Sequence, residues 1–165
     1  MAVYKIFPTK DASLYSEFPA KNTGLDPIIE ASTYLFQGVP QVSRYLIEFS
    51  TTEIQQVLNE KVNNASFSSS LKNSAAVVTS LNTDSKLEIK TVSGSWSMGT
   101  GKFIDSPISE NGCSWKYRNY SGSQEWVTTG SDSYASPVYS QSFAYGNPID
   151  ISVNVTPTIL DWYSG

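Results

Sequence analysis

The chain has 165 residues, 11 Lys and Arg against 15 Asp and Glu, and a net charge of -4. With a pI near 4.7 and no basic run, it lacks the cationic surface that phosphate neutralisation needs, which excludes nucleic acid as the main partner. Histidine is absent and Cys113 is the single cysteine, so imidazole-dependent triads, the commonest metal ligand, an internal disulfide and thiolate metal clusters are all excluded.

Aromatic residues make up 13% of the chain, enough ring area to build a core and to set it apart from disordered sequences. The N-terminal stretch has no long apolar h-region, and no run approaches the ~18 apolar residues of a membrane span. The expectation is a product made in the cytoplasm without a signal peptide, with no membrane partner.

In chain order, Val3, Ile6 and Phe7 read as an opening strand ending at Pro8. An apolar run, Ile28–Phe36, follows a loop carrying Pro19, Gly24 and Pro27. Val42–Phe49 is the clearest strand. It sets Tyr45, Ile47 and Phe49 on one face and Arg44, Leu46 and Glu48 on the other; burial on both faces would suit an inner strand, whereas Arg44 and Glu48 argue for one wet side. Ser50-Thr51-Thr52-Glu53 is a capping box, with Ile54, Val57, Leu58 and Val62 at helical spacing behind it. A short crossover helix is therefore expected near residues 51–61. The pattern fades into the polar tract Asn63–Ser70.

Period two returns in Ala75–Leu81 and Lys86–Val92, both expected strands, and Cys113–Tyr117 is a third. The region between Val92 and Ile149 is rich in Gly, Ser, Trp and Tyr and reads as long loops. In Ile149–Val155, Ile149, Ile151, Val153 and Val155 alternate with polar residues, a half-buried strand. Thr156-Pro157 reads as an N-cap with proline at the first helical position, opening a short turn through Ile159, Leu160 and Trp162 that Gly165 stops. Serine and threonine number 27 and 13 and punctuate these runs as turns do. Many short strands with one helix predict an all-β fold: one antiparallel β-sandwich over residues 1–165 that lacks its closing strand. Another chain, the continuation of this one, or an internal segment within Gly122–Phe143 would cover that edge.

Candidate chemistry is sparse. Trp126, Tyr120, Tyr134 and Tyr139 are the candidates for contact with a glycan or partner, Trp126 as an exposed platform. Trp96 and Trp115 are assigned to the core. The scattered aspartates (Asp11, Asp26, Asp84, Asp105, Asp132 and Asp150) form no calcium-loop pattern. Gly94–Gly101 lacks the Lys-Ser/Thr ending of a phosphate loop and reads as a turn. Three formal glycosylation sequons, at Asn64, Asn119 and Asn154, read as chance in so serine-rich a chain without a secretion signal. Cys113 reads as a buried, inert thiol. No catalytic residue, cofactor or metal is assigned, and the chain reads as a non-enzyme.

Several stretches resemble DNRLRE-type domains. Asp11, Tyr15, Pro19, Asn22 and Gly24 in "DASLYSEFPAKNTG" stand where that family starts a strand and follows it with an Asn-x-Gly loop. Arg44, Leu46 and Phe49 resemble its arginine-bearing strand. Trp96, Gly99 and Gly101 resemble its Trp-x-x-Gly-x-Gly turn, Trp115 its later tryptophan strand, and Val155, Thr156, Trp162 and Gly165 its closing segment. The resemblance implies a jelly-roll-like sandwich used for binding and structure. The opening and the "SWSMGTGKF…SPISENGCSWKYR" stretch are also similar to virion structural proteins of large tailed phages, which are released by lysis and need no signal peptide. The expected function is thus a tail- or capsid-associated virion protein in assembly or adhesion, located in the virion, with other virion proteins and further copies of itself as partners. The alternative is a carbohydrate-binding module of a secreted or surface protein, with a surface glycan as partner.

Overall fold

Strand outweighs helix, 36% against 14%, in the computed structural model of the chain, which describes residues 3–62, 66–76, 84–144 and 150–164. The fold is mainly β, built from small antiparallel sheets and two helices, with no closed barrel among the described residues. Backbone contacts gather into two compact units. One comprises Phe7–Ser50 and Val92–Ser133; the other comprises Met1–Ile6, Thr51–Thr91 and Tyr134–Gly165.

The first unit holds a three-stranded sheet of β1 (Lys10–Tyr15), β2 (Ser32–Phe36) and β3 (Val39–Glu48), ordered β1-β3-β2. The short strands β6 (Tyr117–Asn119) and β7 (Gln124–Glu125) form a separate pair. β1 meets the second half of β3, Lys10 opposite Glu48 and Tyr15 opposite Ser43. β2 meets the first half, Ser32 opposite Ser43 and Phe36 opposite Val39. The core lies on one face of this sheet, where Ala12, Leu14 and Leu46 pack with Trp96, Cys113 and Trp126.

Two expectations change here. Leu46 is buried in the core beside an exposed Arg44, and Ser13, Tyr15 and Ser43 are buried on the opposite face. The face carrying Arg44 is therefore no wet side, and the sheet is covered on both faces where β3 runs as the inner strand. Arg44 stays compatible with this cover by laying its guanidinium over the Trp115 ring, 5.1 Å from the centroid, and donating to the Gly130 carbonyl at 2.8 Å. The first strand begins beyond Pro8. β3 ends at Glu48, opposite Lys10; Val3–Phe7 have no ladder partner among the described residues, and Val3 and Phe7 are exposed.

The second unit pairs β4 (Ser70–Asn73) with β9 (Ile151–Asn154) and holds all but the end residues Val92 and Ser133 of another pair, β5 (Ser85–Val92) with β8 (Ser133–Phe143). α1 (Thr51–Val57) starts where the capping box places it and continues as a π-helical turn, Leu58–Val62, burying Ile54 and Leu58. α2 (Thr156–Ser164) is the second helix, longer than the expected turn, and its cap differs from the one read in the sequence. The first intrahelical bond runs from Ile159 N–H to the Val155 carbonyl at 3.1 Å, so Val155 is the N-cap. Asn154 Oδ1 accepts the Thr156 N–H at 3.0 Å, Pro157 has none to place, and the Tyr139 hydroxyl accepts the Thr158 N–H at 3.3 Å. Thr156 Oγ1 instead accepts the Ser69 N–H at 2.8 Å.

Of the other expected strands, Lys86–Val92 is β5 and Ile151–Asn154 is β9, Ile149 lying outside the described residues. Most of Ala75–Leu81 also lies outside them; Ala75 itself is irregular and donates its N–H to Asp150 Oδ1. Cys113–Tyr117 is a turn leading into β6. Ser114 N–H reaches the Tyr117 carbonyl at 2.7 Å, and Tyr117 N–H returns to Ser114 Oγ at 3.1 Å.

Candidate functional site

Asn22 is fully buried, and each polar position of its amide is used. Nδ2 donates to the carbonyls of Met98 (2.7 Å) and Cys113 (2.8 Å), while Oδ1 accepts from the N–H groups of Gly24 (3.3 Å) and Gly101 (2.7 Å). Glycines surround it because nothing larger fits. A Cβ on Gly99 would lie 2.4 Å from Asn22 Oδ1, and one on Gly112 would lie 2.6 Å from Nδ2. The residues that carry the Asn-x-Gly and Trp-x-x-Gly-x-Gly likeness thus meet around one side chain. Asn22 is a cross-link between loops, with no donor or acceptor left for a ligand.

Its neighbours fasten the same loops. Thr23 Oγ1 donates to the Ser13 carbonyl (2.7 Å) and accepts the Ser13 N–H (3.0 Å), standing in for a strand on the outer edge of β1. Lys21 is buried with its ammonium 4.5 Å from the ring centroids of both Phe18 and Phe103, and donates to the Phe103 carbonyl at 2.9 Å. Asp26 accepts the Phe103 N–H, and Asp105 accepts the Lys102 N–H and the Ser109 hydroxyl. The Ser109 bond is the main reason the Asp105 carboxyl titrates below its ordinary value. Tyr15 is buried and donates to Glu30 at 3.3 Å. Burial first, and the Glu30 charge second, push its pKa up to about 12. Burial likewise pushes the Cys113 thiol up to about 12, so it stays protonated and unreactive.

Of the four predicted contact residues, Trp126 and Tyr120 lie in the first unit and Tyr134 and Tyr139 in the second. Trp126 is no platform: only 4% exposed, it sits in the core and donates Nε1–H to the Ser114 carbonyl at 2.9 Å. The β6–β7 pair ends at Glu125, immediately before Trp126, whose ring turns inward to reach that carbonyl. Tyr120 is half-buried, edge-on to Tyr117 at 4.9 Å, with its hydroxyl pKa raised by its hydrogen bond to Glu110. Tyr134 and Tyr139 belong to the other unit. Tyr134 is exposed, and Tyr139 is half-buried with its hydroxyl engaged by Thr158 Oγ1 at 2.8 Å. Trp96 is in the core as expected, and Trp115 packs half-buried against it.

What sequence reading missed is the β2–β3 hairpin. Its two-residue turn, Gln37 (φ 51°) and Gly38 (φ 79°), has both residues left-handed, which matches the twist of the flanking strands. Every residue from Thr33 to Pro40 is exposed, including Tyr34, Leu35, Phe36 and Val39. Beyond the end of β1 this part of the sheet is a two-stranded ribbon with large apolar side chains on both faces. The signal was in the sequence: the thirteen residues from Ala31 to Ser43 include no charged one.

No group of three or more His, Cys, Asp and Glu residues suited to a metal ion occurs among the described residues, and no described helix is long and apolar enough to cross a membrane. No family model, curated protein or solved structure matches this chain.

Proposed function

We propose that this chain is a non-enzymatic structural component of a phage particle, tail- or capsid-associated, working in assembly or adhesion. On this reading it has a jelly-roll-like sandwich architecture, resides in the virion, and takes other virion proteins and further copies of itself as partners. The observation that carries the proposal is the exposed, uncharged ribbon Thr33–Pro40 on a unit stiffened by the Asn22 cross-link. Large apolar side chains held in water on a fixed strand pair suit a protein interface. The resemblance to phage virion proteins supplies the setting. The carbohydrate-binding alternative loses its principal residue, since Trp126 is spent on the core. Mass spectrometry of purified virions tests the proposal. The chain is expected at a fixed copy number per particle, and its absence from particles purified from a producing lysate overturns it.

A further inference from the structure

We infer that the outer edge of β2 is a homodimerisation surface, on which the same strand of a second copy pairs antiparallel about a two-fold axis at Tyr34. This deepens the assembly role proposed above and rests on it only for its biological setting.

The two edges of the sheet are treated differently. On β1, both outward backbone groups of Ser13 are taken by the Thr23 hydroxyl. On β2 nothing comparable exists among the described residues. Ser16 N–H bonds to the Val42 carbonyl, so Val42 faces β1 and its neighbours Gln41 and Ser43 face β2. Antiparallel alternation then turns Ser32, Tyr34 and Phe36 toward β3, leaving the N–H and C=O groups of Thr33 and Leu35 pointing outward. Edges are normally blunted by charge, proline or a bulge, and Ser32–Phe36 has none of these.

The occupant follows from register. Pairing β2 with its own copy through the outward groups sets Thr33 opposite Leu35, and these residues exchange both backbone bonds on each side of the axis. Tyr34 meets Tyr34 in the closely spaced pair, and Ser32 meets Phe36. Leu35 and Phe36 each face a small side chain, the Tyr34 pair sits on the axis with each hydroxyl donated to Glu17 of its own chain, and the paired strands themselves carry no charge. The strand is complementary to itself in size, polarity and hydrogen bonding.

Sedimentation of the full chain across micromolar to near-millimolar concentration tests this, with Leu35→Pro as the edge-blocking variant. Proline at 35 removes an outward N–H and none that bonds β3, so the hairpin is retained. The wild type is expected to dimerise, and L35P to weaken dimerisation about tenfold or more with an unchanged circular dichroism spectrum. Register is read independently from cysteine variants. Tyr34→Cys places two thiols about 4.5 Å apart by Cα across the axis, within disulfide range, and is expected to form a covalent dimer on oxidation. Thr33→Cys faces Leu35 of the second copy and is expected to stay uncross-linked. A monomer at every concentration, a dimer indifferent to L35P, or equal cross-linking by both cysteines overturns the inference. None of these results bears on whether the chain is found in virions, so the two proposals fail separately.

Discussion

Asn22 shows how much one side chain can hold. Its four hydrogen bonds tie residues that are up to 91 positions apart, and the surrounding glycines are there because of its volume. Asn22→Asp keeps the shape but turns two donors into acceptors aimed at the Met98 and Cys113 carbonyls, and buries a charge. Its expected cost is about 3 kcal/mol or more, read from the urea midpoint at unchanged slope. Two glycines with nearly the same positive φ separate packing from conformation. Gly99 (φ +78°) would press a Cβ against Asn22, whereas Gly38 (φ +79°) has nothing within 4 Å. Gly38→Ala is therefore expected to cost only the left-handed strain, ~1–2 kcal/mol, with Gly99→Ala costing clearly more. Equal costs would show that Gly99 does not pack on Asn22 as described.

At the scale of elements, legibility followed the range of the forces involved. α1 was readable because its capping box and apolar spacing lie within a few residues of one another. β3, β5 and β9 were readable from alternation alone. β8 was not: its less exposed positions are Pro137, Tyr139, Gln141 and Phe143, a proline and an amide among two aromatics. Gln141 belongs there because its amide accepts the Ser152 N–H at 2.9 Å and donates to the Asp150 carbonyl at 2.8 Å, partners that periodicity cannot reveal. The start of α2 has the same character, since half its capping comes from Tyr139 on β8. Tyr139→Phe should cost about 1 kcal/mol, because the Thr158 N–H and hydroxyl lose a common partner. Hydrogen exchange across Thr156–Ser164 checks this. Unaltered protection of the first turn would mean that another group caps it.

For the whole molecule, the sequence allowed a mainly β reading because strand alternation and turn residues recur along the chain. Which strands join into which small sheet depends on pairings between distant segments, which composition does not encode. The same long-range burial places two acidic protons out of water, Cys113 and Tyr15, and makes stability depend on pH in a definite direction. The thiol ordinarily ionises near 9 and the phenol near 10, and folding raises each to about 12. Above pH 9 the unfolded chain has therefore released a proton that the folded chain still holds. Linkage then requires stability to fall as pH rises from about 9 to about 12, with neither group contributing a slope below pH 8. The urea midpoint is expected to be level between pH 7 and 8 and to decline steadily above 9. Cys113→Ala should lower the midpoint at neutral pH through the lost packing, yet flatten the decline between pH 9 and 10, leaving the later fall that belongs to Tyr15. Native Cys113 should also resist a thiol reagent at pH 8 until urea is added. A midpoint independent of pH from 8 to 10.5, or rapid labelling of the native chain, would place the thiol in water and remove it from the core formed with Leu14, Leu46, Trp96 and Trp126.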